Sequence, residues 1–336
     1  MLWIAVATVF ALAVILTGYL RQYALKKSII DIPNERSSHT VPTPRGGGVA
    51  IVVAFLLSLL VLSGTLQGWW YLVALLGGGA LCAVVGFLDD HGHIAARWRL
   101  IAHFACAAWV LAWMPQLPPL LWAGHEIDLG IAGYVLAAFY FVWMLNLYNF
   151  MDGIDGIASV QAITICLLGG ALLWQIGALE IATLSFLLAA AVGGFLVWNF
   201  PPARIFMGDA GSGFLGLMIG ALGLFAAVAQ PALLWAWSIL MGVFIVDATF
   251  TLFRRLLRGD KVYEAHRSHA YQYASREVGG HRPVTLAVLA INLLWLGPWA
   301  FAAALGYMDP ALCLLIAYLP LLALALRFHA GKRETA

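Results

Sequence analysis

The chain has 336 residues, 63% hydrophobic and only 10% charged, with a mean hydropathy of +0.92. A soluble globular domain carries about 25% charged residues, so that class is excluded and a polytopic helical membrane protein is expected. The net charge of +2 is too small to suggest a nucleic-acid partner.

A bilayer-spanning helix needs about 20 apolar residues, and such runs fall at roughly 2–20, 47–64, 69–88, 99–115, 130–148, 157–175, 180–198, 212–229, 232–253, 284–305 and 309–327. The expected architecture is all-α, with about 11 transmembrane helices in one membrane domain over residues 1–336 and the termini on opposite sides. The first run is followed by Arg21, Lys26 and Lys27 and lacks both a basic leader and a clear cleavage site. It reads as an uncleaved helix. All 18 Lys and Arg residues lie in or beside the odd-numbered connections or the C-terminal tail. The even connections hold Glu126, Asp128, Glu180 and Asp309 with no Lys or Arg. Basic residues concentrate in cytoplasmic loops, so the N-terminus is expected in the periplasm and the C-terminus in the cytoplasm. Cys82, Cys106, Cys166 and Cys313 sit in apolar runs without metal-like spacing and read as small buried residues.

The odd connections also carry nearly all the unusual polar sequence. The first holds Pro42-Thr43-Pro44-Arg45-Gly46-Gly47-Gly48. Asp89-Asp90 ends the third helix, where adjacent carboxylates oppose the helix dipole and each other. A hard divalent ion with oxygen ligands would compensate them; so would a plain solvated turn balanced by Arg97 and Arg99. Asn149-Phe150-Met151-Asp152-Gly153-Ile154-Asp155-Gly156 interrupts an apolar chain, and if it opens the sixth helix, Asp152 and Asp155 share a face. Asn199 and Phe206-Met207-Gly208-Asp209 precede Gly211-Ser212-Gly213-Phe214-Leu215-Gly216. That run matches G-x-G-x-x-G, but no βαβ unit surrounds it, so a dinucleotide fold is rejected. A helix starting near Ser212 would offer free N–H groups close to Asp209, and Phe206 could stack on a nucleobase. The longest loop carries His266-Arg267-Ser268-His269 among further arginines, either a clamp for a diphosphate or basic charge beside anionic lipid. Asp247 lies inside a predicted helix and is expected to face a polar cavity. Carboxylates for a metal, cations for phosphates and an aromatic near a helix start suit phosphoryl transfer. The rival class is a proton-coupled secondary transporter, but transporters place ionisable groups near the midplane rather than at helix ends.

Four of these motifs occur in the same order in one family. Asp89-Asp90, Asn149-x-x-Asp152-Gly153-x-Asp155-Gly156, Asn199 through Asp209, and the late His-containing loop resemble the polyprenyl-phosphate N-acetylhexosamine-1-phosphate transferases. The resemblance covers roughly residues 30 to 275 and implies a bacterial inner-membrane enzyme with its active site facing the cytoplasm. The site would form from connections at about 21–46, 89–98, 149–156, 199–211 and 254–283. The implied reaction is attack of a polyprenyl (undecaprenyl) phosphate on a UDP-N-acetylhexosamine, giving polyprenyl-diphospho-HexNAc and UMP. Asp89, Asp90 and Asp209 would form the catalytic and metal centre for Mg²⁺ or Mn²⁺. Arg45, Asn149, Asp152, Asp155, Asn199, Phe206, His266, Arg267 and His269 would contact substrate, and a homodimer is left open. The muramoyl-pentapeptide branch carries three consecutive histidines where Arg267 and Ser268 separate His266 from His269 here. The His-Arg-Ser-His-Ala-Tyr-Gln pattern is more similar to the branch that initiates O-antigen synthesis.

Overall fold

In lipid, backbone N–H and C=O groups find no water, so long apolar runs satisfy them internally as helices. The structure is a computed structural model that describes residues 1–33, 38–64, 68–92, 94–260 and 266–333. The apolar runs become α1 (Leu2–Lys26), α2 (Val49–Leu62), α3 (Trp69–Gly92), α4 (Ala96–Trp113), α5 (Gly130–Phe150), α6 (Ile157–Gln175), α7 (Leu179–Asn199) and α8 (Asp209–Ala229). Then follow α9 (Ala232–Leu240), α10 (Gly242–Leu257), α11 (Ala270–Glu277), α12 (His281–Ile291), α13 (Gly297–Ala304) and α14 (Pro310–Arg327). A π-helical turn, Asn292–Leu296, joins α12 to α13. Two short hairpins complete the fold: β1 (Ile30–Asp31) pairs antiparallel with β2 (Thr43–Pro44), and β3 (Leu120–Trp122) with β4 (His125–Ile127).

Among the described residues, eight helical segments are long and apolar enough to cross a membrane, and the α9–α10 pair makes a ninth candidate. The single span expected over 232–253 is therefore two helices, bent by 73°. The bend is accommodated by polar groups inside the bundle. Gln161 Nε2 donates to the Leu240 carbonyl at 2.9 Å, and Asn292 Nδ2 donates to Gln161 Oε1 and Thr164 Oγ1 at 2.8 and 2.7 Å. A carbonyl next to the break thus finds a donor without water.

The helix around which the others pack is α8, buried from Ala210 through Ala227. Its glycines let neighbours approach closely, as small residues do between membrane helices. A Cβ at Gly216 would stand 2.4 Å from the Met144 carbonyl oxygen, and one at Gly211 2.6 Å from Gly48 Cα. On α3, a Cβ at Gly86 would meet the Asp209 carbonyl oxygen at 2.5 Å. The glycine pattern at 211–216 is helix packing, and it draws α2, α3 and α5 to the N-terminus of α8. All four cysteines are buried and free.

Candidate active site

The helix N-terminus at Asp209 is where the separate motifs meet. The first N–H groups of a helix have no intrahelical partner, and here the Asp90 carboxylate takes them, accepting from the amides of Asp209 (2.9 Å) and Ala210 (3.2 Å). Gly208, at φ 79°, lies against that carboxylate, where a Cβ would come within 2.7 Å of Asp90 Oδ2. Arg45 joins the two acids, with Nη2 2.9 Å from Asp90 Oδ1 and 2.8 Å from Asp209 Oδ1. Asn149 Nδ2 donates to Asp209 Oδ1 at 2.9 Å and to Ser212 Oγ at 3.0 Å. Asp89, buried beside them, accepts from Arg99 Nη1 and from the Ile94 amide, each at 2.7 Å, and its carboxyl also meets that of Asp209. The balancing arginine expected for the acidic pair is thus present as Arg99, but for Asp89 alone.

Of these, Arg45, Asn149, Gly208, Asp209 and Ser212 line a cavity of about 270 Å³; Asp89 and Asp90 are not among its lining, being engaged by Arg99, the Ile94 amide and the start of α8. Asp152, Asp155, Asn199 and Phe206 line the cavity as well. Asp152 and Asp155 do not share a helical face, because the connection stays irregular and α6 begins only at Ile157, after Gly156 at φ 74°. Asp155 is held structurally: Oδ2 accepts from the Ala203 amide at 2.9 Å and Oδ1 lies 3.1 Å from His281 Nδ1. Asn199 is likewise engaged, taking the Gly156 amide and donating to the Ile205 carbonyl, both at 3.0 Å. Its side chain shapes the wall rather than reaching into the cavity.

The histidine pair lies elsewhere. His269 is buried, with Nδ1 3.2 Å from Asp247 Oδ1, and His266 stacks on it at 4.9 Å. Neither of them nor Arg267 is among the residues lining the cavity. Asp247 lines an apolar groove rather than the polar cavity expected for it, and accepts from the amides of Ala270 (2.9 Å) and Tyr271 (3.0 Å) at the start of α11. The loop reaches the cavity through Gln272 instead, whose Oε1 accepts from the His269 amide at 3.2 Å. His39 and His281, from distant parts of the chain, also line it. Only the spacing His269-x-x-Gln272, a capping pattern, could have pointed to Gln272; His39 ends a polar stretch of the first connection, Ser38-His39, that stands out in the sequence, and His281 stands in no motif.

Electrostatics set what the cavity can take. Burial opposes the Arg45 charge, but Asp209 and Asp90, with Asp31 and Asp152 behind them, outweigh it and raise its pKa. Burial pushes the Asp152 carboxyl well above the usual range; Arg45 opposes this, and Asp209, Asp90 and Asp155 reinforce it. Among the described residues, Asp31, Asp152, Asp155 and Asp209 line the cavity with Arg45 as the one arginine, a balance that favours a further cation beside a diphosphate. Among the described residues, no three acidic, imidazole or thiolate groups gather closely enough to hold a metal by themselves. This donor set fits Mg²⁺ in its usual manner, in which one or two carboxylates are completed by phosphate oxygens and water.

The family model described as glycosyl transferase family 4 matches residues 71–227. The chain is 29% identical, over 88% of its length, to the probable undecaprenyl-phosphate N-acetylglucosaminyl 1-phosphate transferase of Bacillus subtilis, covering 84% of that protein. It is 30% identical, over 89% of its length, to the decaprenyl-phosphate N-acetylglucosaminephosphotransferase of Mycolicibacterium smegmatis, covering 79% of it. It is also 30% identical, over 70% of its length, to the phospho-N-acetylmuramoyl-pentapeptide-transferase of Streptococcus thermophilus, covering 72% of it.

Proposed function

We propose, for a chain that belongs to glycosyl transferase family 4 and its polyprenyl-phosphate N-acetylhexosamine-1-phosphate transferases, the following reaction and division of labour. The enzyme transfers an N-acetylhexosamine 1-phosphate to undecaprenyl or a related polyprenyl phosphate. The donor is a UDP-sugar. A phosphate oxygen of the carrier bonds to the sugar-bearing phosphorus, the bond from that phosphorus to the bridging oxygen breaks, and UMP departs with the electron pair. The observation that carries this reading is the knot at Asp209. There Arg45 from the first polar connection, Asp90 from the end of α3, Asn149 from the end of α5 and the first turn of α8 come within hydrogen-bond reach of one another.

Phosphoryl transfer needs mostly positioning and charge neutralisation. Arg45 is the fixed cation for the diphosphate, and Asn149 and Arg45 orient the Asp209 carboxylate. Asp90 locks the helix start on which Asp209 stands. Asp89, held by Arg99, is assigned the role of taking a proton from the carrier phosphate. Asp209 and Asp152 would hold Mg²⁺, which when bound would neutralise the phosphate oxygens. An apolar groove of about 210 Å³ between α10, α11, α12 and α14 suits the prenyl chain. Tyr271 lines it while the adjacent Gln272 lines the polar cavity, so α11 separates lipid from nucleotide. The alternative of a proton-coupled transporter is not favoured, because the acids cluster at one end of the bundle and the relatives are named transferases.

The finer reading is a bacterial inner-membrane enzyme, its N-terminus periplasmic and its site cytoplasmic, that initiates O-antigen or related envelope polysaccharide. Its donor is drawn from UDP-GlcNAc and the 6-deoxy-HexNAc nucleotides. The test is mass spectrometry of lipids extracted after incubating membranes with polyprenyl phosphate, Mg²⁺ and each UDP-sugar. One polyprenyl-diphospho-HexNAc species is expected; no such lipid from any donor, in folded protein, rejects the function.

A further inference from the structure

His281 has no place in any sequence motif, yet it joins three parts of the chain at the cavity wall. Its Nε2 stands 2.9 Å from the Ser38 carbonyl oxygen and its Nδ1 3.1 Å from Asp155 Oδ1. One turn later on α12, Thr285 Oγ1 donates to the Asp155 carbonyl at 2.8 Å. The first polar connection is thereby pinned at Ser38 to a helix start that is itself pinned to Asp155. The pinned segment is polar and unsatisfied: among the described residues, Ser38 Oγ and His39 Nε2 are out of solvent without a hydrogen-bond partner. The nearest acid to His39 Nε2, Asp31 Oδ1, is 3.8 Å away, beyond hydrogen-bond reach. Buried polar atoms normally find partners, and leaving one without costs stability unless a ligand completes it. The His39 ring also stands edge-on to Phe206, centroids 4.8 Å apart. Ser38, His39, Phe206, Asp155 and His281 all separate the cavity from an adjoining cleft of about 660 Å³.

We propose that Ser38 and His39 form the nucleoside-recognition edge of the donor cavity and that His281 is the positioning residue that holds them there. This rests on reading the cavity as the UDP-sugar site. Arg45 and the Asp209 carboxylate occupy the end suited to the diphosphate. The clip offers an aromatic edge with a hydroxyl and an imidazole nitrogen beside it, matching a flat uracil with carbonyl and N–H groups and a ribose with hydroxyls. His281 acts through Ser38 and not on the reacting atoms.

The test is the affinity of the detergent-solubilised full chain for UMP, measured by calorimetry, with the kinetic constants for donor and carrier determined alongside. Ser38→Ala removes a hydroxyl that makes no hydrogen bond among the described residues, and His39→Ala an imidazole whose described contacts are the Phe206 edge and Asp31 at 3.8 Å, so the pair reads contact with little cost to the fold. His281→Leu removes the tether, and His281→Gln keeps an amide donor for the Ser38 carbonyl. His39→Ala and His281→Leu are expected to weaken UMP binding about tenfold and raise the donor KM alike, with Ser38→Ala smaller in the same direction. In all three, kcat and the carrier KM stay near wild type, and His281→Gln recovers most of the affinity. Unchanged UMP affinity in both Ser38→Ala and His39→Ala would overturn the recognition edge. A kcat loss in His281→Leu without an affinity change, or no recovery with Gln, would overturn the positioning role. Absence of transfer by the wild-type protein would instead reject the reading of the cavity.

Discussion

Asp90 and Asp209 carry the same side chain a few ångströms apart, yet the structure gives them different work. The Asp90 carboxylate accepts two backbone amides and one arginine, so its charge holds the start of α8. Asp209 faces other acids across the cavity and Arg45 beside it. Asp90→Asn removes a charged acceptor from two amides and is expected to lower stability by about 1–3 kcal/mol as well as activity. Asp209→Asn is expected to leave the melting temperature near wild type or raise it while cutting kcat about a hundredfold or more. Thermal melts paired with turnover distinguish them; equal destabilisation in both would contradict the division. His266 supplies a pH dependence. Burial, then His269 and Arg255, push its pKa down from 6.5 to about 3. The folded state therefore binds fewer protons than the unfolded one, so stability is full above pH 6.5 and is lost as pH falls toward about 3. His266→Phe is expected to flatten the fall in melting temperature between pH 7 and 5; an unchanged slope would show that this ring does not carry it. The paired acids, Asn149 and Asp209 were legible in the sequence because each is a polar residue at the edge of an apolar run, and Arg45 because it stands in the Pro-Thr-Pro-Arg-Gly-Gly segment that the family resemblance marks. The His266–His269 pair was just as conspicuous, but its place was not, since the partner that draws His269 away is Asp247, 22 residues upstream.

The elements meet at the site because backbone is allowed to touch backbone. At Gly86, a methyl group would collide with the Asp209 carbonyl oxygen and with Ala210 N and Cα, both 2.6 Å away. Gly86→Ala must move α3 away from α8, which parts Asp89 and Asp90 from Asp209. A loss of about 1–3 kcal/mol is expected, together with an activity loss larger than the change in folded fraction explains. Retention of wild-type turnover would show that the α3–α8 approach does not set the catalytic geometry. Helix positions followed from hydropathy, since lipid leaves a long apolar run no other structure. The bend between α9 and α10 did not, because the groups that satisfy it, Gln161 and Asn292, come from other helices. Nor did the irregular path of 151–156, where the three-residue spacing of Asp152 and Asp155 imitates a helix turn. Gly156 at φ 74° delays α6 until both acids have passed.

At the scale of the whole molecule, a central buried helix carries its N-terminus to a cluster assembled from distant loops, with a polar cavity on one side of α11 and an apolar groove on the other. In the proposed reaction, such an arrangement would bring a water-soluble nucleotide sugar and a membrane-held phosphate to one carboxylate centre without either leaving its own phase. The ordered motifs made the chemistry of that centre readable. The tie of Ser38 to His281 in its outer wall was not, because that contact joins residues 243 positions apart with no repeat or spacing to mark it. In the proposed reaction the two substrates are coupled at Asp209. The most direct measurement is UMP release by the purified protein in the presence of Mg²⁺, with UDP-HexNAc and polyprenyl phosphate supplied singly and together. UMP is expected only when both are present, one for each diphospholipid formed, and almost none from Asp209→Asn. UMP released without the lipid, or undiminished transfer by Asp209→Asn, would contradict that coupling.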